Sequence, residues 1–138
     1  MSPVIACSGA PLRTLEADVL AVPWFEGDTA SAVADLDAAS GGEIGRALAS
    51  KEFVAHAYDL FVTPVVDGSW RVRRVALIGA GARAEFSSDL ARRLAVVAGL
   101  NARQRRADRA AFALRPDVVG ANDAAEFAQA VAEGLTLS

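Results

Sequence analysis

The residue types that most often carry chemistry are nearly absent from this chain. Its 138 residues include one cysteine, Cys7, one histidine, His56, and one lysine, Lys51. A single cysteine excludes an internal disulfide and fits a reducing, cytoplasmic compartment. One cysteine and one histidine, far apart in sequence, cannot supply the four N, S or O ligands of an ordinary zinc site. No apolar run approaches the roughly 20 residues that a membrane helix needs. Met1-Ser2-Pro3-Val4 carries no positive side chain ahead of its apolar residues, which argues against a secretory signal. A net charge of −3 gives no global attraction to nucleic acid or anionic lipid. Lysine is scarce beside thirteen arginines in an alanine-rich chain, a bias that reads as genomic base composition.

What remains is the material of one globular domain. Hydrophobic residues make up 53% of the chain and charged ones 22%, enough to bury a real core at this length. Val4 to Cys7 reads as a short strand and Ala17 to Phe25 as a longer one, with Pro23 placed to suit a strand end. Glu26-Gly27-Asp28-Thr29 is turn chemistry, and Thr29 or Ser31 can cap a helix over roughly 30–39. Residues 42–50 read as a second helix. Tyr58 to Val66 is nearly continuous in Leu, Phe and Val, as in a strand covered on both faces. Asp67-Gly68 then signals a hairpin into Arg71–Ile78, a strand that starts exposed and ends buried. Ser87-Ser88-Asp89 caps a long helix over about 88–104, with Leu90, Leu94, Val97 and Ala98 on one side and Arg92, Arg93 and Arg103 on the other. Ala110 to Leu114 is another strand, stopped by Arg115-Pro116. Asn122-Asp123 caps a final helix whose core side is Phe127, Ala130 and Val131. Alternation of this kind predicts an α/β fold, a three-layer α/β/α sandwich with a mixed sheet.

Several of these segments, in this order and spacing, resemble one family. Leu15-Glu16-Ala17-Asp18-Val19-Leu20-Ala21-Val22-Pro23 is similar to a strand of the leucine (cytosol) aminopeptidases. Leu36-Asp37 through Gly41-Gly42-Glu43-Ile44 is similar to a helix pair, and Val75-Ala76-Leu77-Ile78-Gly79-Ala80-Gly81, with Arg83 and Phe86, to a central strand and its glycine turn. Ala130-Val131-Ala132-Glu133-Gly134-Leu135 is similar to the run before that family's linker. The resemblance is to the N-terminal domain and implies a macrodomain-like fold. It implies that catalysis sits in a separate C-terminal domain holding divalent zinc or manganese, and that the parent forms homo-oligomers. That domain's characteristic Asn-Thr-Asp-Ala-Glu-Gly-Arg stretch is absent here, so no catalytic residue, metal ligand or cofactor is assigned to residues 1–138. The chain reads as cut from a longer protein or as a stand-alone copy of this half, and its expected partner is the catalytic domain.

Two other readings stay open. Macrodomains bind ADP-ribose through an acidic residue and glycine loops, echoed by Asp28, by Gly41 and Gly42, and by Gly79 and Gly81. Backbone N–H groups in such loops can form anion nests. However, Leu36-Asp37-Ala38-Ala39-Ser40 lacks the asparagine macrodomains place there, and Glu43 puts a carboxylate where a diphosphate would dock. The commoner role of these glycines is turns and close packing. Arg103, Arg105, Arg106 and Arg109 form the one basic cluster, suited to a helix C-terminus and also to phosphate contact. Without interleaved aromatics, nucleic acid is the less favoured use. His56 reads as a surface or turn histidine and Cys7 as a small hydrophobe, with a Cys7–His56 nucleophile pair as the minor alternative. Trp24, Phe25 and Trp70 mark a partner surface if exposed and ordinary core if buried.

Overall fold

Two stretches that alternate between opposite burial faces set the architecture. A computed structural model describes residues 4–5, 12–120 and 122–138. Its elements are β1 (Val4–Ile5), β2 (Glu16–Phe25), α1 (Leu36–Ala39), α2 (Glu43–Ala49), β3 (Leu60–Pro64), β4 (Arg71–Gly81), α3 (Ser88–Gln104), β5 (Arg109–Phe112) and α4 (Ala124–Leu137). Along β2, Leu20, Val22 and Trp24 enter one core with Leu36, Ile44, Phe53, Val75 and Leu77. Ala21 and Phe25 enter a second with Ile78, Leu94, Phe127 and Val131. Successive side chains of a strand point to opposite faces, so a strand apolar at every position must be covered twice. The helices α1 and α2 cover one face and α3 and α4 the other, which makes three layers as the sequence predicts.

The five-stranded sheet has the order β1-β5-β2-β4-β3. β2 pairs in parallel with β4 and β5, β1 pairs in parallel with β5, and β3 is antiparallel to β4. The sheet is therefore mixed. β4 carries a bulge at its end, where Trp24 stands opposite Gly79 and Phe25 opposite Gly81. An extra residue of this kind sharpens the local twist and re-aims the strand end.

Pro23 lies within β2 rather than at its end, and the reason is visible in the pairing. The C=O of Ala21 accepts from the N–H of Ala113 on the β5 side, and residues two apart point the same way. The nitrogen of Pro23 therefore faces β5 where that short strand has already stopped, and no ladder bond is lost. β3 is also unlike its expectation. It is the sheet edge, with Leu60 43% exposed, so its apolar run is half covered. Pro64 occupies this edge, where a missing N–H limits pairing with another chain. The first helix is shorter than expected, because residues 30–35 form turns and Asp35 takes a left-handed conformation at φ 65 before α1. Thr29 and Ser31 hydrogen-bond each other rather than capping it. The long helix matches its expectation, with Ser87 Oγ accepting from Leu90 N–H. Trp24 and Trp70 are buried core residues, whereas Cys7 lies outside the described residues.

The α3–α4 pair packs through small residues, Ala91, Ala95 and Ala98 against Ala130, Val131 and Gly134. A Cβ built on Gly134 would collide with the Arg92 carbonyl oxygen and the Ala95 Cβ. Backbone cannot yield as a long side chain can, so Gly134→Ala is expected to destabilise by about 1–3 kcal/mol. Gly68→Ala, where an added Cβ meets nothing within 4 Å, should stay within about 0.5 kcal/mol of the parent. Urea denaturation followed by circular dichroism compares the two.

Candidate functional site

The C-terminal ends of β2, β4 and β5 carry the densest polar cluster, and it is built around a residue that the sequence reading took as a strand stop. Arg115 follows β5, and its side chain is 3% exposed. Its Nη1 donates to Asp28 Oδ2 at 2.6 Å and to the Pro23 carbonyl at 3.1 Å. Its Nη2 and Nε donate to Asp117 at 2.9 and 3.3 Å. The guanidinium also lies over Trp24 and Phe25, 5.5 and 5.3 Å from the ring centroids. Arg83 closes the outer side, donating to Asp28 at 2.9 Å and Asp117 at 3.1 Å and covering the Phe25 ring at 5.0 Å. Two cations and two carboxylates thus alternate, tying together the loops after β2, β4 and β5.

The ionisation of the cluster follows from this geometry. Burial pushes the Asp28 carboxyl up, but hydrogen bonds from Arg115, the Phe25 N–H and Arg83 outweigh it and hold the group below the usual carboxylate value. Asp117 behaves alike: burial raises it, and Arg115 and Arg83 bring it lower still. Both carboxylates are therefore ionised at neutral pH, and each is turned toward guanidinium groups.

The five ligand candidates from sequence do not converge. Asp28 and Gly81 are at the C-terminal end of the sheet, where Glu26 N–H donates to the Gly81 carbonyl. Gly41 and Gly42 join α1 to α2 near the opposite end, since the neighbouring Ala39 carbonyl accepts from Val66 and Asp67 in the β3–β4 connection. Their φ values of 71 and 83 are left-handed, which glycine adopts without strain. Gly79 allows close approach of the 55–59 loop, because an added Cβ would collide with the His56 carbonyl oxygen. The His56 ring itself is exposed, with Nδ1 3.3 Å from Glu26 Oε2.

Arg103 in the last turn of α3, Arg105 and Arg106 just beyond it, and Arg109 at the start of β5 lie at the other pole of the sheet. Of these, Arg109 lines a cleft of about 300 Å³ together with Glu16, Asp18, Arg71, Arg73 and Asp108. The backbone N–H of Arg109, helped to a lesser degree by that of Asp108, holds the Asp18 carboxyl low although burial pushes it up. Arg109 and Arg73 reach Glu16 and Asp18 only at 3.7 Å, and Arg71, Arg105 and Arg106 meet no carboxylate among the described residues. Arg106 sits at φ 55 beyond the end of α3, where the Ala107 N–H bonds back to Ala102, a position usually given to glycine.

A metal does not fit these residues. Among the described residues no three His, Cys, Asp or Glu side chains gather as metal ligands. Asp28, whose side chain is 9% exposed, is faced by two guanidinium groups, which repel a divalent cation. No helix of the described residues is long and apolar enough to cross a membrane.

The mixed sheet between two helical layers defines the fold class, and comparison with known proteins narrows it. The profile of the "Cytosol aminopeptidase family, N-terminal domain" matches residues 21–138. The fold is similar to a mutant tomato leucine aminopeptidase, with a TM-score of 0.80 and 22% identity, over 99% of this chain and 28% of that one. It is also similar to the bottromycin maturation enzyme BotP in complex with Mn, with a TM-score of 0.63 and 24% identity, over 88% of this chain and 22% of that one. At these identities the likeness establishes a shared fold. No curated protein sequence matches. The chain belongs to the cytosol aminopeptidase family, in which it corresponds to the N-terminal domain.

Arg115 escaped the sequence reading because Arg-Pro is an ordinary strand terminator. The usable signal was Asp117 two residues on, so that a charged pair directly follows the apolar run from Ala110 to Leu114. A carboxylate whose folded pKa is depressed stabilises the fold above its unfolded value, about 3.9, and that gain is lost as pH falls through the folded pKa. Asp28→Asn is therefore expected to cost about 3 kcal/mol at pH 7. The gap from the parent should narrow as pH is lowered from about 5 toward 2. Urea denaturation across that pH series measures it, and a gap constant with pH would show that the charge of Asp28 is not what stabilises.

Proposed function

We propose that this chain is a non-catalytic domain with an architectural role, packing against the catalytic domain of a cytosolic aminopeptidase and shaping its access or assembly. The carrying observation is that the family match falls on the N-terminal domain, over residues 21–138. The same fold accounts for 28% of the tomato enzyme, which leaves most of that relative for other work. The reaction of the whole protein would be removal of N-terminal residues from peptides, with zinc or manganese held by the other domain and the parent acting as a homo-oligomer. A two-metal hydrolase needs carboxylates that converge on neighbouring ions, and the acidic groups described above face arginines instead. The purified chain, supplied with Mn²⁺ or Zn²⁺ and leucine p-nitroanilide, is expected to show no turnover. Sustained, metal-dependent release of p-nitroaniline would overturn this reading.

A second reading is nucleic-acid contact at the basic pole, favoured by Arg71, Arg105 and Arg106, which meet no carboxylate among the described residues. Glu16, Asp18 and Asp108 interrupt that pole, which suits weak and sequence-independent binding. Replacing Arg105 and Arg106 with Ala should lower affinity for duplex DNA and reduce the salt slope by about 2. An unchanged slope in a fluorescence-anisotropy titration would discard the second reading. A third reading, ADP-ribose binding through Asp28, Gly41, Gly42, Gly79 and Gly81, has less support because those residues are divided between the two ends of the sheet.

A further inference from the structure

In an open α/β sheet, ligands settle outside the carboxyl ends of the parallel strands, where the loops of neighbouring strands leave for opposite faces. That point flanks β2 in this chain. The chain leaves β2 for the face covered by α1 and α2, and it leaves β4 and β5 for the face covered by α3 and α4. Because β5 ends at Phe112 while β2 continues to Phe25, a crevice opens beside Pro23, between Asp28 and Asp117. The Pro23 carbonyl points into it, as its bond to Arg115 shows.

We infer that this crevice is a guanidinium-binding site which the chain fills in cis with Arg115, so that its own side chain stands where the fold class takes an external ligand. The guanidinium is contacted both along its edge and by aromatic rings. Along its edge, Asp28 and the Pro23 carbonyl take one terminal nitrogen, and Asp117 takes the other together with Nε. On its faces are the rings of Trp24 and Phe25. A planar, delocalised cation with donors in a fixed fork matches such a site, and a compact ammonium does not. The residues are far apart in sequence, since Asp28 and Arg115 are 87 positions apart, so tertiary structure assembles the site. Arg83 bridges the same two carboxylates from the half-exposed side and stays in place if Arg115 is removed. The vacated crevice then presents two carboxylates and a carbonyl, which attract a cation and repel a diphosphate. The ligand class is therefore a guanidinium cation and not a nucleotide. This inference is independent of whatever catalytic domain accompanies the chain.

Truncation with chemical rescue tests it. Arg115→Gly should lower Tm by about 10 °C or more. Methylguanidinium chloride should raise the Tm of that variant by about 5 °C at tenfold excess over its Kd. The same salt should give the wild type no gain, and methylammonium chloride should give the variant none. Should Arg115→Gly be unfolded on its own, methylguanidinium is expected to restore the folded circular-dichroism signal. Absence of rescue in both Arg115→Gly and Arg115→Ala, or equal rescue by methylammonium, would overturn the site. A second arm titrates the ¹⁵N-labelled wild type with ADP-ribose. The amides of Phe25, Asp28 and Asp117 should not move, and saturable shifts at them would show that Arg115 does not fill the crevice.

Discussion

A guanidinium buried at the end of a sheet must be compensated where it lies. Moving a charge from water into the interior costs several kcal/mol even after relaxation, and Arg115 is 4% exposed. Asp28, Asp117, the Pro23 carbonyl and two aromatic faces supply the compensation. The same contacts solve a backbone problem, because β5 stops short and leaves the Pro23 carbonyl without a ladder partner. One side chain thus caps an orphaned acceptor, neutralises two carboxylates and joins the loops after two neighbouring strands. Phe25, Phe86 and Phe127 extend the joint into α4, with centroid separations of 5.1 and 5.4 Å. The end of the sheet is consequently one mechanical unit rather than a set of independent loops.

That arrangement explains which parts of the fold were legible in sequence. α3 could be read because its apolar positions recur at helical spacing and Ser87 supplies a side-chain cap. β4 could be read because its arginines give way to an unbroken apolar run as the strand passes under both helical layers. Both signals are local. The extent of β3's burial is not local: its run of Leu, Phe and Val predicts two covered faces, but the sheet happens to end there. The helix expected over 30–39 failed because Thr29 and Ser31 bond each other and Asp35 turns left-handed before α1. Asp28 reads from sequence as a turn residue and a candidate ligand contact, whereas its partner in the structure, Arg115, lies 87 residues on. No periodicity encodes a pairing at that distance. The family resemblance reached further than periodicity did, since the order of segments carries tertiary information that single segments lack.

Charge is distributed unevenly between the poles of the sheet. At the C-terminal end the arginines are held at 2.6–3.1 Å by carboxylates, three of the four pairs joining different loops and Arg115–Asp117 lying within one. At the N-terminal end Arg73 and Arg109 are paired only at 3.7 Å, and Arg106 carries its side chain from a left-handed backbone. Exposed pairs of this second kind contribute little to stability, so folding alone does not account for so many arginines in one place. Their concentration beside a cleft that also holds Glu16, Asp18 and Asp108 gives a surface of mixed sign.

A fold does not fix a function, and here the reason can be traced to named atoms. The sheet topology creates a crevice flanking β2, and a mixed α/β sheet elsewhere uses that crevice for ligands. In this chain the crevice is lined by Trp24, Phe25, Asp28 and Asp117, and a donor from the chain itself meets each polar wall. A nucleotide arriving there would have to displace a guanidinium from two carboxylates and then face those carboxylates with its own negative charge. Both steps are uphill in the partly buried setting of the cluster, where charges are poorly screened. The same substitution of an internal side chain for a ligand ties the loop after β5 to the loop after β2 through Asp28 and the Pro23 carbonyl.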